Sequence, residues 1–306
     1  MKVFVTGATG FAGSAIAGEL LADGHEVYGL ARTPDAEQRL HHDGIHTVRG
    51  DLDDHLPDAL AAANAADAMV FAAQIAPARE GSVVSAFLDV LAGKTFLFVS
   101  GSGVFMQRTA GAWSQDSFAE DDLFDPEPLA APRVATEVAV RTAAEVRTIV
   151  VRPPYLWGPG EHGHLTAFYR SFALTGAVCY IGQGLNCYSH LHVDDAARLI
   201  VDALKNGTPG ALYHGVAGEI PNRWIAETVA ADLGCSTRSI TMDVAAEVWG
   251  GFDALIMGAS SRSRSPRTYR ELDWAPKQSD LLSIVGAPHL RAITARLTAH
   301  AEQPHH

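Results

Sequence analysis

The sequence predicts a doubly wound α/β fold, a parallel sheet covered by helices on both faces, with a smaller C-terminal lobe. Three observations predict it. Short apolar runs alternate with helical segments from residue 2 to residue 152. Those runs are apolar at nearly every position, as strands covered on both faces are. The segments between them have the length of helical crossovers, which connect parallel strands.

Lys2–Thr6 reads as the first strand, and 12–23 as a helix whose stop suits Gly24. Strands follow at 26–30, 47–49, 68–72, 95–100 and Arg147–Arg152. Helices at 36–42, 56–66, 83–92 and 133–144 separate them. Past Arg152 the rhythm changes. Pro153-Pro154-Tyr155-Leu156-Trp157-Gly158-Pro159-Gly160 reads as a rigid loop, since three prolines remove donors and fix φ. Further helices are expected at 166–173, 193–204 and 221–233. Asp194 and Asp195 favour the N-terminus of the second. The Ser/Arg-rich stretch 260–270 reads as an exposed loop. Residues 1–153, rejoined by 187–217, then form the sheet domain. Residues 154–186 and 218–306 form a lobe over the C-terminal strand ends.

Composition narrows the partners. With 47% hydrophobic and 19% charged residues, the 306-residue chain has material for a sizeable core. Its formal net charge of −12 repels phosphate backbones and anionic lipid, so neither nucleic acid nor membrane is expected. Cys179, Cys187 and Cys235 are odd in number and form no CxxC, so no disulfide framework or zinc site is read. The chain opens directly on a strand, and no apolar run reaches the roughly 20 residues of a membrane span. A cytoplasmic protein is the expectation. Residues 304–306 carry no assigned role.

The most informative motif is Thr6-Gly7-Ala8-Thr9-Gly10-Phe11-Ala12-Gly13, which leaves a strand and opens a helix. Gly7 suits the tight turn, Gly10 the approach of backbone N–H groups to a diphosphate, and Gly13 close packing of helix on sheet. The N–H groups and positive dipole end of the helix favour an anion there. This is the Rossmann pattern for a dinucleotide. At the end of the second strand, where an acidic residue usually meets an NAD ribose, stand Arg32 and Thr33. A guanidinium pairs with a 2′-phosphate, so NADP is expected over NAD, with NAD still allowed. Asp51 and Leu52 are placed at the adenine, and Ala72 and Ala73 beside the ribose.

These residues carry a resemblance. The chain resembles the short-chain dehydrogenase/reductase superfamily, in its extended or atypical epimerase/dehydratase-like branch. The carriers are the glycine loop, Gly50-Asp51-Leu52, the run from Phe98 to Phe105, Arg152-Pro153-Pro154 with Gly158-Pro159-Gly160, and His192-Val193-Asp194-Asp195. Leu272-Asp273-Trp274-Ala275-Pro276 resembles a late element of the same family. The resemblance implies a nicotinamide cofactor, with Ser100, Arg133 and Pro153 at its reactive end. It also makes a homodimer plausible. The family's usual Tyr-x-x-x-Lys pair maps to Leu129 and Arg133, so its acid/base is missing. Its catalytic Ser/Thr maps to Gly101, leaving Ser102 as the nearest candidate hydroxyl.

Three readings stay open at this stage. The first is an NADP-dependent oxidoreductase of a small carbonyl, alcohol or related substrate with a relocated proton donor. Candidates for that donor are Tyr155, His162 or His164 in Glu161-His162-Gly163-His164, and Tyr188 or His190. Phe105, Tyr155, Trp157, His164, Phe168 and Tyr188 would line its pocket. The second is an epimerase, dehydratase or lyase that retains its cofactor. The third is a catalytically silent nucleotide-binding sensor resembling NmrA-like proteins. His162, His164, His190 and His192 also suggest a metal, but nothing fixes four ligands in one place, so no metal is expected.

Overall fold

The computed structural model describes residues 1–160 and 162–301. Residues 161 and 302–306, which include Glu161 and the 304–306 terminus, lie outside the described residues. In chain order the first half contains β1 (Lys2–Thr6), α1 (Phe11–Ala22), β2 (Glu26–Ala31), α2 (Pro34–His42), β3 (His46–Arg49), α3 (Leu56–Ala65) and β4 (Ala68–Phe71). It continues with α4 (Pro77–Val90), β5 (Thr95–Val99), α5 (Ala131–Arg141) and β6 (Arg147–Arg152). The second half contains β7 (Tyr155–Trp157), α6 (His164–Thr175), β8 (Val178–Ile181), β9 (Cys187–His192), α7 (Val193–Asn206), β10 (Ala211–His214) and β11 (Gly218–Pro221). It ends with α8 (Asn222–Leu233), β12 (Thr237–Ile240), α9 (Met242–Trp249), α10 (Gly251–Gly258), α11 (Pro266–Leu272) and α12 (Pro288–Ala301).

Seven strands form one sheet in the order β10-β6-β5-β4-β1-β2-β3, every neighbour parallel. Side-chain alternation divides its core into two layers. Val3, Val5, Val70, Leu97, Ile149 and Val151 pack on one face with α1 and α7. Phe4, Met69, Phe71, Phe96, Phe98 and Val150 pack on the other with α4 and Val140 of α5. Both faces are thereby dry, which is why the central strands β1, β4 and β5 are apolar except at their ends. Among the described residues no helix is long and apolar enough to cross a membrane.

The lobe has its own core of Phe168, Tyr169, Val178, Ile225, Val229, Ala245 and Met257. It is drawn from α6, α8, α9, α10 and the two-stranded β8/β12 sheet. Several boundaries differ from the sequence expectation. α4 starts at Pro77, not Val83, because proline is favoured in a first turn where no N–H is needed. The proline-rich loop contains β7: its prolines flank the strand, Pro153 and Pro154 before it and Pro159 after, and Tyr155, Leu156 and Trp157 pair with β9. β9 in turn joins β7 and β11 in a three-stranded sheet instead of returning to the central one. Leu272 and Trp274 pack in the α1/α7 core, so the late segment belongs with the sheet domain there.

The stretch 260–270 is not an exposed loop. Ser260, Ser261 and Ser263 are buried, bridging to Gln107, Tyr188 and Phe118. Its arginines lie outward on carboxylates: Arg262 on Glu219, Arg264 on Asp122 and Arg267 on Asp121. Cys179 and Cys187 are buried thiols and Cys235 is half-buried, all unbridged.

Candidate functional site

The glycine turn is built by collisions that any side chain would cause. Gly7 has φ +74°, and a Cβ there would lie 2.7 Å from the Ala72 carbonyl oxygen. A Cβ at Gly13 would strike the Gly7 carbonyl. Gly10 caps α1 with no side-chain hydrogen bond, and its N–H donates to the Gly7 carbonyl at 2.9 Å. The helix therefore opens on backbone alone, at the C-terminal end of β1. Thr6 Oγ1 and Ser100 Oγ are buried at the ends of β1 and β5 without a partner among the described residues. A bare helix N-terminus, with the orphaned Thr6 hydroxyl at the end of the strand before it, fits a dinucleotide diphosphate. Thr9, Phe11 and Ala12 complete this turn as half-exposed residues or residues at its rim.

Around it the other expected residues are placed as follows. Arg32 is exposed just past the end of β2, with no ion-pair partner among the described residues. Thr33 caps α2, its hydroxyl accepting from the Ala36 N–H at 3.2 Å. Asp51 Oδ1 accepts from the backbone N–H groups of Asp53, Asp54 and His55 at 2.7, 2.5 and 3.1 Å. Those bonds hold its carboxyl below the ordinary range, and they make Asp51 first of all the organiser of the turn into α3. Leu52 is buried, while Ala72 and Ala73 are half-buried at the end of β4. Pro153 is buried and its carbonyl accepts the Ser102 N–H at 3.0 Å.

Two of the expected catalytic groups are engaged elsewhere. Ser102 is buried and its hydroxyl accepts from Ser261 at 3.1 Å, so it ties the 102–105 turn to the 260–263 segment. Arg133 forms an ion pair with Glu80 of α4 and lies over the Phe98 ring. Burial raises the Glu80 carboxyl, opposed by Arg133 and aided by Glu137. Leu129 is exposed, and none of the seven tyrosines has a lysine four residues on. Gly101 is extended, with only the Pro153 carbonyl oxygen, at 3.9 Å, near the place of a Cβ.

The cleft lies instead between the strand ends and the lobe. A cavity of about 460 Å³ is lined by Gln74 after β4, Tyr155 of β7, His162, Thr166 and Arg170 of α6, and the α9–α10 hairpin. His162 rests against the Phe11 ring at 5.6 Å, so cleft and glycine turn adjoin. Tyr155 stacks on His164 at 4.4 Å and meets Tyr188 edge-on at 5.6 Å. Burial pushes the Tyr155 phenol up to about 12, with Asp253 adding and Arg170 opposing. His164 is buried, and desolvation lowers it to about 3, with His190 adding. Its neutral form is thereby favoured at pH 7, and its ring supports that of Tyr155. Of the expected pocket aromatics, Tyr155 alone lines this cavity; Phe168 and Trp157 are core.

The remaining histidines are structural. His190 Nδ1 accepts from Trp157 Nε1 at 3.2 Å, and burial lowers it to about 4. His192 Nδ1 accepts from the Asp194 N–H at 3.2 Å, capping α7. No group of three or more His, Cys, Asp or Glu able to hold a metal occurs among the described residues.

The arrangement has relatives. The family model described as NAD dependent epimerase/dehydratase family matches residues 3–214. The chain belongs to that family. It is 30% identical over 294 residues to an uncharacterized protein of Schizosaccharomyces pombe, covering 92% of this chain and 97% of that one. It is 27% identical to the 2-alkyl-3-oxoalkanoate reductase of Stenotrophomonas maltophilia, over 72% of this chain and 71% of the relative. The fold is that of the Bacillus anthracis dTDP-glucose 4,6-dehydratase solved in complex with NAD, with TM-score 0.73 and 17% identity over 99% and 97% of the two chains.

Proposed function

We propose that this protein is an NADP-dependent oxidoreductase of a small carbonyl or alcohol, with Tyr155 as its proton donor. The observation that carries this reading is the position of Tyr155: it lines a cavity that adjoins the glycine turn through His162 and Phe11. Thr6, Gly7, Thr9, Gly10, Phe11, Ala12 and Gly13 would hold the diphosphate. Arg32 and Thr33 would take the 2′-phosphate, Asp51 and Leu52 the adenine, and Ala72 and Ala73 the ribose. Ser100 and Pro153 would border the nicotinamide. Arg133, held by Glu80, is the nearby cation able to reach its ribose. When bound, the cofactor supplies or accepts the hydride.

Tyr155 then holds the proton. A phenol near 12 is protonated at pH 7, so it donates to the carbonyl oxygen as charge builds there, and takes the proton back in the alcohol direction. His164 and Tyr188 fix its ring from two sides. The relative named as an oxoalkanoate reductase supports a carbonyl as the reacting group. An epimerase or dehydratase is the second reading, favoured by the family match. The test is NADPH consumption against a carbonyl panel by wild type and Tyr155→Phe. Turnover lowered about 10²- to 10⁴-fold by the phenylalanine, with NADPH binding kept, is the expected outcome. Unchanged turnover in Tyr155→Phe would remove the tyrosine. NADPH binding without turnover of any carbonyl would favour the other readings.

A further inference from the structure

One helix face in the cleft carries groups that the proton-transfer reading leaves without work. Gly163, Thr166, Ala167 and Arg170 recur at helical spacing and together line the cavity. Thr166 is buried and its hydroxyl has no partner among the described residues. Arg170 also lines the cavity, with no ion pair among the described residues. Its own helix offers no carboxylate: three and four residues to either side stand Thr166, Ala167, Ala173 and Leu174. Two other arginines of the lobe pair with carboxylates, Arg223 with Glu227 and Arg291 with Asp232. A buried, unpartnered hydroxyl and an exposed guanidinium one turn apart on the same cavity wall are two donors able to meet one acceptor.

We propose that Arg170 and Thr166 anchor a carboxylate of the substrate, which is a small carboxylic acid with an apolar body. The remaining walls set the rest of the molecule. Ala167, Val248, Trp249 and Met257 offer apolar surface. Trp249 is fixed there by its Nε1–H, which donates to the Ala167 carbonyl at 2.9 Å. Asp253 faces the same cavity from α10 and repels a second negative charge, so a monoanion is preferred to a phosphate dianion. The anchor lies on the same cavity as Tyr155, so a keto or hydroxy group some atoms from the carboxylate reaches the phenol.

This assignment rests on the cavity being the substrate site, and the experiment separates the two ideas. Calorimetric titration of the NADP-saturated protein compares 4-oxo-4-phenylbutanoate with its methyl ester, which has the same body without the charge. The acid is expected to bind about 10- to 100-fold more tightly. Arg170→Met is expected to erase that preference without changing NADP affinity, and Arg170→Lys to retain part of it. Equal affinity for acid and ester, a preference that survives Arg170→Met, or no binding of either compound overturns the anchor. Acid binding without turnover of any carbonyl removes the oxidoreductase reading and keeps the anchor. Equal turnover of acid and ester does the reverse.

Discussion

The glycine turn and the cleft above it are a few residues apart in space and differ in how they are built. The turn is assembled from neighbours in sequence: Gly7, Gly10 and Gly13 lie within seven residues, and their collisions involve one another and Ala72. The cleft draws on β4, β7, α6, α9 and α10, from Gln74 to Met257. A backbone device tolerates few residue types, because a Cβ at Gly7 or Gly13 meets main chain. A side-chain device can be rebuilt residue by residue, since its groups come from several separate elements.

If the strand ends owe their order to buried charge instead of local pattern, breaking one pair there should have the largest effect. Arg152 donates its Nε–H to Glu137 Oε1 at 2.9 Å, both residues are buried, and the guanidinium lies over Phe105 and Phe124. Glu137→Leu would leave that cation buried and uncompensated. A loss of about 3–5 kcal/mol in denaturant unfolding is expected. Replacing both partners, Glu137→Leu with Arg152→Met, should recover much of it, since an apolar pair of similar volume carries no desolvation cost.

The turn should break by sterics alone. Gly13→Ala puts a methyl group into the Gly7 carbonyl, which is backbone and cannot rotate away. A cost of about 1–3 kcal/mol is expected, with NADPH affinity falling alongside. Gly18 on the same helix has open space at its Cβ, so Gly18→Ala should be neutral or stabilising. Equal effects from the two alanines would refute the local account.

Cofactor choice sharpens the comparison further, because Arg32, exposed just past the end of β2, would act by charge and not by sterics. Arg32→Asp should weaken NADPH about 10- to 100-fold relative to NADH in a direct binding titration. Equal losses for both cofactors would remove the 2′-phosphate role.

The same contrast explains what the sequence reveals. The central sheet is legible because its strands are dry on both faces and its helices have matching lengths. The cradle is legible because glycine reports a backbone need directly. Tyr155 is readable as a candidate only through its place after β6. What sequence cannot reveal is pairing over distance. Arg133 meets Glu80 and Ser102 meets Ser261, partners 53 and 159 positions away. Residues 260–263 look like a polar loop, but Ser260 Oγ accepts from the Cys187 N–H, Ser261 Oγ donates to the Ser102 carbonyl and the Ser263 N–H donates to Ser189 Oγ. Arg170 carries no motif at all; the signal available is the lack of an acidic neighbour on its own helix.

The smallest expected effect concerns the neutral histidines under the cleft. Burial holds His164 and His214 down to about 3 and His190 to about 4, against 6.5 in the unfolded chain. Between those values the unfolded chain binds protons that the folded one does not, so stability rises with pH across the window. Read downward, the contribution is complete above about pH 6.5 and is lost as pH falls toward 4. Each such histidine adds a slope of up to about 1.4 kcal/mol per pH unit. His164→Phe keeps an aromatic ring against Tyr155 and should remove one of the three contributions. Unfolding free energy measured between pH 7 and 5 should therefore fall less steeply in the variant, by about 1 kcal/mol per pH unit. Identical slopes would mean that His164 titrates freely in the folded protein, and Tyr155 would then rest on a charged neighbour, not a neutral ring.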